Sequence, residues 1–325
     1  VIIITTKKGT GGKPRFSFVS QLSAGVLAKK FDVLTADEFR NLVNTHGTAA
    51  QKALMGNAST DWQDEIYQTA IGTDNNLSVS GSLNRLPYRL SLGYLNQNGI
   101  LRTGNLRRIT TSLNLNPTIL DGHLKIDFNV KGSFSKSRFA NTDAVWGANQ
   151  FDPTQPVYSG KSNYGGYWER LDPNTNTGLA ALSPKNPVGL LEQRHNIGYA
   201  NRLIANAMFD YKVHFLPDLH AIANVGYDYS HGYGDDNTTD SSANMYKSFT
   251  SPVSGTVHSG HRSHYESDID NSYANFYLNY SKSLNTKNRL EVMAGVEYQN
   301  YLTTNYFFNT YAYDTAVKTR PQYPF

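Results

Sequence analysis

The chain has 325 residues, enough for two or three soluble domains, but its mean hydropathy is −0.50 and it contains no apolar run of eighteen residues, which excludes helical membrane spans. The absence of cysteine excludes a disulfide framework and thiolate metal sites. The formal charge of +4 is scattered, dense only at Lys7, Lys8, Lys13 and Arg15, which argues against a nucleic-acid surface.

The chain opens at Val1 with neither Met nor a charged and then apolar leader, so a secretory signal is expected upstream of it. Residues 1–6 read as a short strand and residues 7–14 as a glycine-rich connector. Those glycines do not make a phosphate-cradling loop, because Pro14 follows Lys13 where Ser or Thr is required. Alternation begins over residues 15–26, with Phe16, Phe18, Leu22, Ala24 and Val26 on one face. Between residues 35 and 70 the period becomes helical: Phe39, Leu42, Val43 and His46 fall at i, i+3, i+4 and i+7. Thr35 with Glu38 forms a capping box, and Thr60 with Gln63 repeats it around Trp62 and ahead of Ile66. Two short helices are expected there, packed within a loop, since about 40 residues do not easily bury a core of their own.

Alternation resumes in eight further stretches. The first three carry Leu77, Val79, Gly81 and Leu83, then Tyr88, Leu90, Leu92 and Tyr94, then Ile109, Thr111, Leu113 and Leu115. The clearest runs over residues 123–135, where Leu124, Ile126, Phe128, Val130, Gly132 and Phe134 oppose Lys125, Asp127, Asn129, Lys131 and Ser133. After a long irregular segment come Leu203 to Phe215, Leu219 to Tyr229, Ser272 to Tyr280 and Leu290 to Tyr298. About nine strands of about ten residues, each with one face for lipid and one for water, suit tilted bilayer crossings. Twenty-two Tyr and fifteen Phe suit the aromatic girdles of such a wall. The connections alternate in length: 84–86, 117–122, 216–218 and 284–288 are tight, 26–75, 134–200 and 230–265 are long, and 98–105 is intermediate. Short turns at one end and long loops at the other are the asymmetry of outer-membrane barrels. The fold class is therefore all-β: a transmembrane antiparallel β-barrel, present in part, with long extracellular loops and two short helices in the first. A soluble β-sandwich or propeller is the other class these strands allow.

The polar faces give the lumen-facing candidates Arg108, Asn114, Lys125, Asp127, Asn206, Asp210, Asn275, Asn279, Glu291 and Glu297. In the loop over residues 135–200, Trp146, Tyr158, Tyr164, Tyr167 and Trp168 are candidate substrate-binding residues, because flat rings among amides stack on sugars or grip peptides. The same rings, with Phe151, would equally pack the loop onto itself or onto a partner. His258, His261 and His264 with His231, and Asp235, Asp236 and Asp240, are clusters with metal-ligand chemistry. They lack a helix or the EF-hand order of ligands, and a solvated loop without metal is expected. No nucleophile elbow or zinc-protease motif occurs, so neither an enzyme nor a cofactor is expected.

Several runs in chain order resemble one known family. They are Val-Ile-Ile-Ile-Thr-Thr-Lys-Lys-Gly at 1–9, Leu-Thr-Ala-Asp-Glu-Phe at 34–39, Asp-Trp-Gln-Asp at 61–64 and Leu-Ser-Val-Ser-Gly at 77–81. Tyr-Arg-Leu-Ser-Leu-Gly-Tyr at 88–94, Asn-Gly-Ile-Leu at 98–101 and Leu-Asn-Leu at 113–115 complete the set. Together they are similar to the SusC/RagA-type TonB-linked outer-membrane transporters of Bacteroidetes, over about the first 135 residues. The resemblance implies that residues 1–14 end a plug domain and its linker, and that residues 15–325 are part of a plugged barrel of about 22 strands embedded in outer-membrane lipid. It implies active import of a glycan or oligopeptide, powered by the TonB complex, with a SusD-like lipoprotein as partner. The remaining strands, most of the plug and the TonB-contacting segment are then expected outside this stretch. Phe325 resembles a terminal barrel aromatic, but the two prolines in residues 320–324 favour an end within an outer loop. A small passive barrel and a soluble carbohydrate-binding β protein are the alternatives.

Overall fold

The computed structural model describes residues 12–84, 86–172, 178–247, 249–250 and 257–310. In chain order the elements are β1 (Arg15–Gly25), α1 (Ala36–His46), α2 (Ala49–Ala53), α3 (Trp62–Ile66), β2 (Ala70–Leu83), β3 (Leu86–Asn98) and β4 (Asn105–Leu115). There follow β5 (Thr118–Ile119), β6 (Leu124–Phe139), α4 (Asp143–Gln150), α5 (Pro187–Glu192), β7 (Arg194–Lys212) and β8 (Leu219–Thr238). The last are β9 (Phe249–Thr250), β10 (Val257–His258), β11 (His261–Ser283) and β12 (Arg289–Thr310).

Nine long strands make one meander, β1-β2-β3-β4-β6-β7-β8-β11-β12, with β5 on the end of β6 and β9 paired to β10 apart from it. All its pairings are antiparallel, and the nine correspond one for one to the alternating stretches of the sequence. β1 and β12 are the two edges of an open sheet, the wall of a partial barrel.

Register fixes the faces, since paired residues project to the same side. Phe16 pairs with Val79, Val79 with Leu90, Leu90 with Leu113, Leu113 with Val130 and Val130 with Ala205. On that face Phe16, Phe18, Leu77, Leu90, Leu92, Phe134, Leu203, Phe209, Phe276 and Val296 are all exposed. A continuous apolar surface of that extent is a membrane-facing band, far beyond the scattered apolar residues of a soluble surface. The band also slips along the strands. The row that starts at Tyr94, at the band's upper limit on β3, passes through Ile109, Phe134, Asn201, His231 and Asp268 to Thr304. Thr304 lies two residues past Leu302, the last exposed large apolar side chain of this face on β12 among the described residues, so the row leaves the band as it crosses the sheet. A band that slips along the strands belongs to strands inclined to the membrane normal, as closed barrels require.

Hollows of about 430 Å³ beside Ser91, Lys131 and Arg202, and about 210 Å³ beside Asn206, Asp228 and Tyr273, lie on the opposite, polar face, so the sheet curls with that face inside. There the Tyr265 ring crosses Gly234 and Gly198, and its hydroxyl donates to Asn196 Oδ1 at 3.1 Å. A Cβ at either glycine would run into that ring.

The strands outrun their alternation. β8 reaches Thr238 and β11 starts at His261, so both ends of the loop expected over 230–265 are paired strand. Beyond the bilayer both faces meet polar surroundings, and the period-2 signal fades while the ladder continues. The first loop holds three helices, not two. The Thr35–Glu38 box caps α1 as expected, with Glu38 N–H donating to Thr35 Oγ1 at 3.3 Å. A second box, Thr48 with Gln51, caps α2. The box expected at Thr60 does not form: Asp61 caps α3 by accepting from Gln63 N at 2.9 Å and Asp64 N at 3.2 Å. Its carboxylate suits a helix start better than a hydroxyl does, and the Thr60 hydroxyl is committed to Gln155 O at 2.7 Å.

The strand expected at residues 1–6, the family-like run at 1–9 and Phe325 lie outside the described residues. Of the connector, Gly12 lies against the end of β2, its carbonyl accepting from Ser82 N at 3.0 Å.

Candidate functional site

Because the sheet is an up-and-down meander, residues 26–69, 99–104, 140–193 and 239–260 all emerge at one end. The buried core lies there, outside the sheet. Trp62 and Ile66 of α3, Ala144 and Ala148 of α4, Phe151, and Val188, Leu190 and Leu191 of α5 form one cluster. Trp62 meets Phe151 edge-on at 4.6 Å between centroids, and Phe151 meets Trp168 at 5.8 Å. The segment over 135–200, irregular by sequence, thus supplies two helices that close over the first loop. About 40 residues of the first loop lack a core alone, and the third loop completes it.

Backbone pairing joins the two loops. Ala58 N donates to Thr154 O at 3.0 Å, Thr60 N to Pro153 O at 3.0 Å, and Trp62 Nε1 to Asp152 O at 3.1 Å. Asp152 is the hub: Oδ1 accepts from Thr154 N at 2.9 Å and its hydroxyl at 2.6 Å, and Oδ2 from Arg170 Nη2 at 2.5 Å and Gln155 Nε2 at 3.1 Å. From the loop over 99–104, Arg102 donates through Nη1 to Glu65 O at 2.8 Å and lies 3.4 Å from Glu192 Oε1. Thr239 N, from the fourth loop, donates to Gln193 O at 3.0 Å.

Asn186 is fully buried. Its Oδ1 caps α5, accepting from Val188 N at 3.0 Å and Gly189 N at 3.1 Å, while Nδ2 donates to Val157 O at 2.9 Å and Trp168 O at 3.1 Å. Its backbone N–H donates to Glu169 Oε1 at 3.0 Å. Glu169 is only 8% exposed, and burial pushes its carboxyl from the ordinary 4.5 up to about 7, against the opposing hydrogen bond from Asn186 and the charge of Lys185. A carboxyl whose folded pKa is raised stabilises the fold in its protonated state. That stability is full below about 4.5 and is lost as pH rises through about 7, a fall of at most about 3 kcal/mol. Hydrogen-exchange protection of residues 157–191 is therefore expected to drop between pH 5 and 8 in the wild type and to stay flat in Glu169→Gln. An equal drop in both would remove Glu169 as the cause.

The five candidate aromatics divide. Trp146 is 67% and Tyr158 61% exposed, so both present rings to solvent. Tyr167 and Trp168 pack against the core, Tyr167 also meeting Tyr158 at 5.4 Å between centroids. Arg170 lies over the Trp168 ring at 5.2 Å, and Tyr164 meets Tyr246 edge-on at 5.2 Å. The structure therefore brings together Tyr158 with Tyr167, and Trp168 with the core, and not all five on one surface.

The ten strand candidates share the polar face, opposite the band. Asn114 pairs with Asn129 and Asn129 with Asn206; Lys125 pairs with Asp210; Asn275 pairs with Glu297. Asp127 Oδ1 accepts from Asn116 at 2.9 Å and Asn129 at 2.8 Å, and Asp210 contacts His220 at 2.6 Å. Arg108 pairs with Ser135, Asn279 with Met293 and Glu291 with Ser281 on that same face.

Among the described residues no group of three or more His, Asp or Glu side chains is placed to hold a metal. His261 and His264 stand on β11, not in a loop, and the His258 side chain lies outside the described residues. His264 contacts Asp235 at 2.9 Å and Glu266 at 2.8 Å, His231 contacts Asp268 at 2.7 Å, and Asp236 pairs with Arg194 at 2.5 Å. Asp240 alone of the three aspartates falls beyond β8.

Sequence reasoning missed Asp152, Glu169, Arg170 and Asn186. One signal was available: Asn186 followed by Pro187 is an N-cap followed by proline at the first helical position. It missed also an open groove of about 350 Å³ between α1 and α2, lined by Phe39, Leu42, Leu54 and Met55 and flanked by Asp152 and Arg170.

No family model matches the chain. It is 39% identical over 316 residues to the TonB-dependent receptor SusC of Bacteroides thetaiotaomicron, which covers 93% of this chain and 30% of that protein. It is 32% identical over 174 residues to the TonB-dependent receptor P3 of Formosa agariphila, covering 50% of this chain and 17% of that protein. Among solved structures, the RagAB peptide importer superposes with a TM-score of 0.65 in both its closed-closed and open-open states. The sequence identities are 18% and 17%, and 95% of this chain aligns with 37% of that one. The chain spans less than a third of the length of these curated relatives.

Proposed function

This chain belongs to the SusC/RagA family of TonB-dependent receptors, and from that premise we propose that it forms part of the wall and outer loops of an active importer in the outer membrane. The observation that carries the reading is the apolar band: it runs across all nine strands, slips along them as a tilted barrel requires, and backs a polar concave face. Residues 1–14 are then the end of the plug and its linker, and residues 15–325 barrel. The ten polar-face residues named above line water in the lumen or meet the plug. The cargo is a large nutrient, a glycan or an oligopeptide, captured with a SusD-like lipoprotein and moved at the expense of TonB-coupled energy. Of the loop aromatics, Trp146 and Tyr158 have rings free to touch cargo or lipoprotein, whereas Tyr167 and Trp168 act by holding the loop body together. The chemistry is binding and gating, with no reaction assigned.

The test is uptake by cells expressing the full transporter and its neighbouring lipoprotein. Labelled oligosaccharides and oligopeptides of matched mass are expected to accumulate only while the proton gradient and TonB are intact. Uptake that persists with an uncoupler would establish a passive barrel, and a full-length protein that stays monomeric in water without detergent would establish the soluble alternative.

A further inference from the structure

The apolar band stops sharply on β4 and β6. Two pairs above Ile109 and Phe134, and so on the same membrane-side face, Arg107 stands directly opposite Lys136. Arg138 follows two residues on, opposite Asn105. Like charges facing one another across a ladder destabilise it unless an anion lies between them. Among the described residues none of the three takes part in an ion pair. The carboxylates of these rows are distant: Glu266 is three strands from Lys136, Asp235 is two strands from Arg138, and both contact His264.

The height of this cluster is marked independently. Lys136 Nζ lies 5.3 Å from the centroid of the Tyr199 ring, and Tyr199 stacks on Tyr233 at 5.0 Å with 15° between planes. Such a row of tyrosines at the edge of an apolar band sits at the level of lipid headgroups. Arg107 and Lys136 are exposed, whereas Nε and Nη2 of Arg138 are enclosed without a hydrogen-bond partner. Arg107 and Lys136 are therefore the contacting groups, and Arg138 adds its charge to the local field.

We propose that Arg107 and Lys136 bind the phosphate of a phosphorylated glycolipid headgroup in the outer leaflet. This rests on the membrane reading above. A lipid is favoured over a free ion because the cations sit on the rim of the band: acyl chains lie along Ile109 and Phe134 while the phosphate reaches the paired cations.

The test uses the full transporter in mild detergent and in liposomes, with bisphosphorylated lipid A and its dephosphorylated form as probes. Arg107→Ala/Lys136→Ala is expected to weaken binding of the phosphorylated lipid by at least about tenfold, the effect of losing one charge-assisted contact. Arg107→Lys/Lys136→Arg should restore most of it, and the dephosphorylated lipid should bind wild type and double variant alike. Equal affinity of the double variant and the wild type for phosphorylated lipid A would overturn the proposal. So would inorganic phosphate competing as well as the lipid, which would make the site one for a free ion. A transporter that enters liposomes and imports cargo, yet fails this comparison, sinks the lipid site alone; one that does not enter liposomes sinks the membrane reading beneath it.

Discussion

Asn186→Ala should loosen the loop body by about 2–4 kcal/mol of local stability, enough to expose it to protease while the barrel stays folded. Replacing Asn186 removes the N-cap of α5 and deprives the Trp168 carbonyl of its donor in a fully buried position, while the Val157 carbonyl keeps the Trp168 N–H at 3.0 Å. A lost cap costs about 1 kcal/mol and a buried carbonyl left unpaired about 1–3 kcal/mol. The cavity left by the side chain adds to this. Asn186→Asp keeps the capping oxygen but sets a second acceptor against the Val157 and Trp168 carbonyls in a fully buried place, so it should destabilise at least as much as Asn186→Ala. The measurement is hydrogen exchange on the detergent-folded transporter, reading residues 54–62 and 144–191 against the ladder of β6 and β7. Protection of the loops unchanged from wild type would show that α5 is held by its apolar packing alone. Loss of protection in both loops and ladder would show that the loop body and wall unfold as one unit.

The second large effect separates the two faces of the sheet. Val130→Arg puts a guanidinium in the middle of the apolar band and is expected to reduce folding into a bilayer by about 2–4 kcal/mol, the cost of a cation at the midplane of a barrel's lipid face. Asn129→Arg, one residue away, points to the concave side beside Asp127 and should change folding by less than about 1 kcal/mol. Heat-modifiable gel mobility of the full transporter after insertion into liposomes reads both variants at once. The asymmetry is the content of the prediction: two equally tolerated arginines would mean that the exposed face of β6 does not meet lipid, and the barrel reading would go with it.

The wall was legible in the sequence because its signal is local. A strand between lipid and water must alternate, and Leu124 to Phe134 against Lys125 to Ser133 states both the strand and its faces without any neighbour. A tight turn such as 284–288 then sets the order of strands, since antiparallel neighbours joined by so few residues have no other place to go. The same logic explains where reading failed. Residues 230–238 and 261–271 pair along their whole length but carry Asp and His on both faces, so no apolar period announces them.

The loop body was not legible, for a different reason. Its core unites residues more than a hundred positions apart, Trp62 with Leu191 and Ile66 with Val188, and α5 is too short for helical period to reveal. Aromatic content flagged the segment around Trp146 to Trp168 but could not say which rings face inward. Tyr167 and Trp168 became packing elements because α3 and α5 arrive beside them, and Trp146 stayed outside because α4 turns its small residues, Ala144, Gly147 and Ala148, toward the core.

By itself, then, the sequence determined the class of this protein, its nine strands, the two faces of each and the end at which the long loops gather, because hydrophobic period and turn chemistry act within a few residues. Tertiary structure alone decided the slip that tilts the strands, the closure of separate loops on one core, the burial that raises the Glu169 pKa and the meeting of Arg107 with Lys136. Those depend on register and on burial by distant segments, and both exist only once the strands have paired.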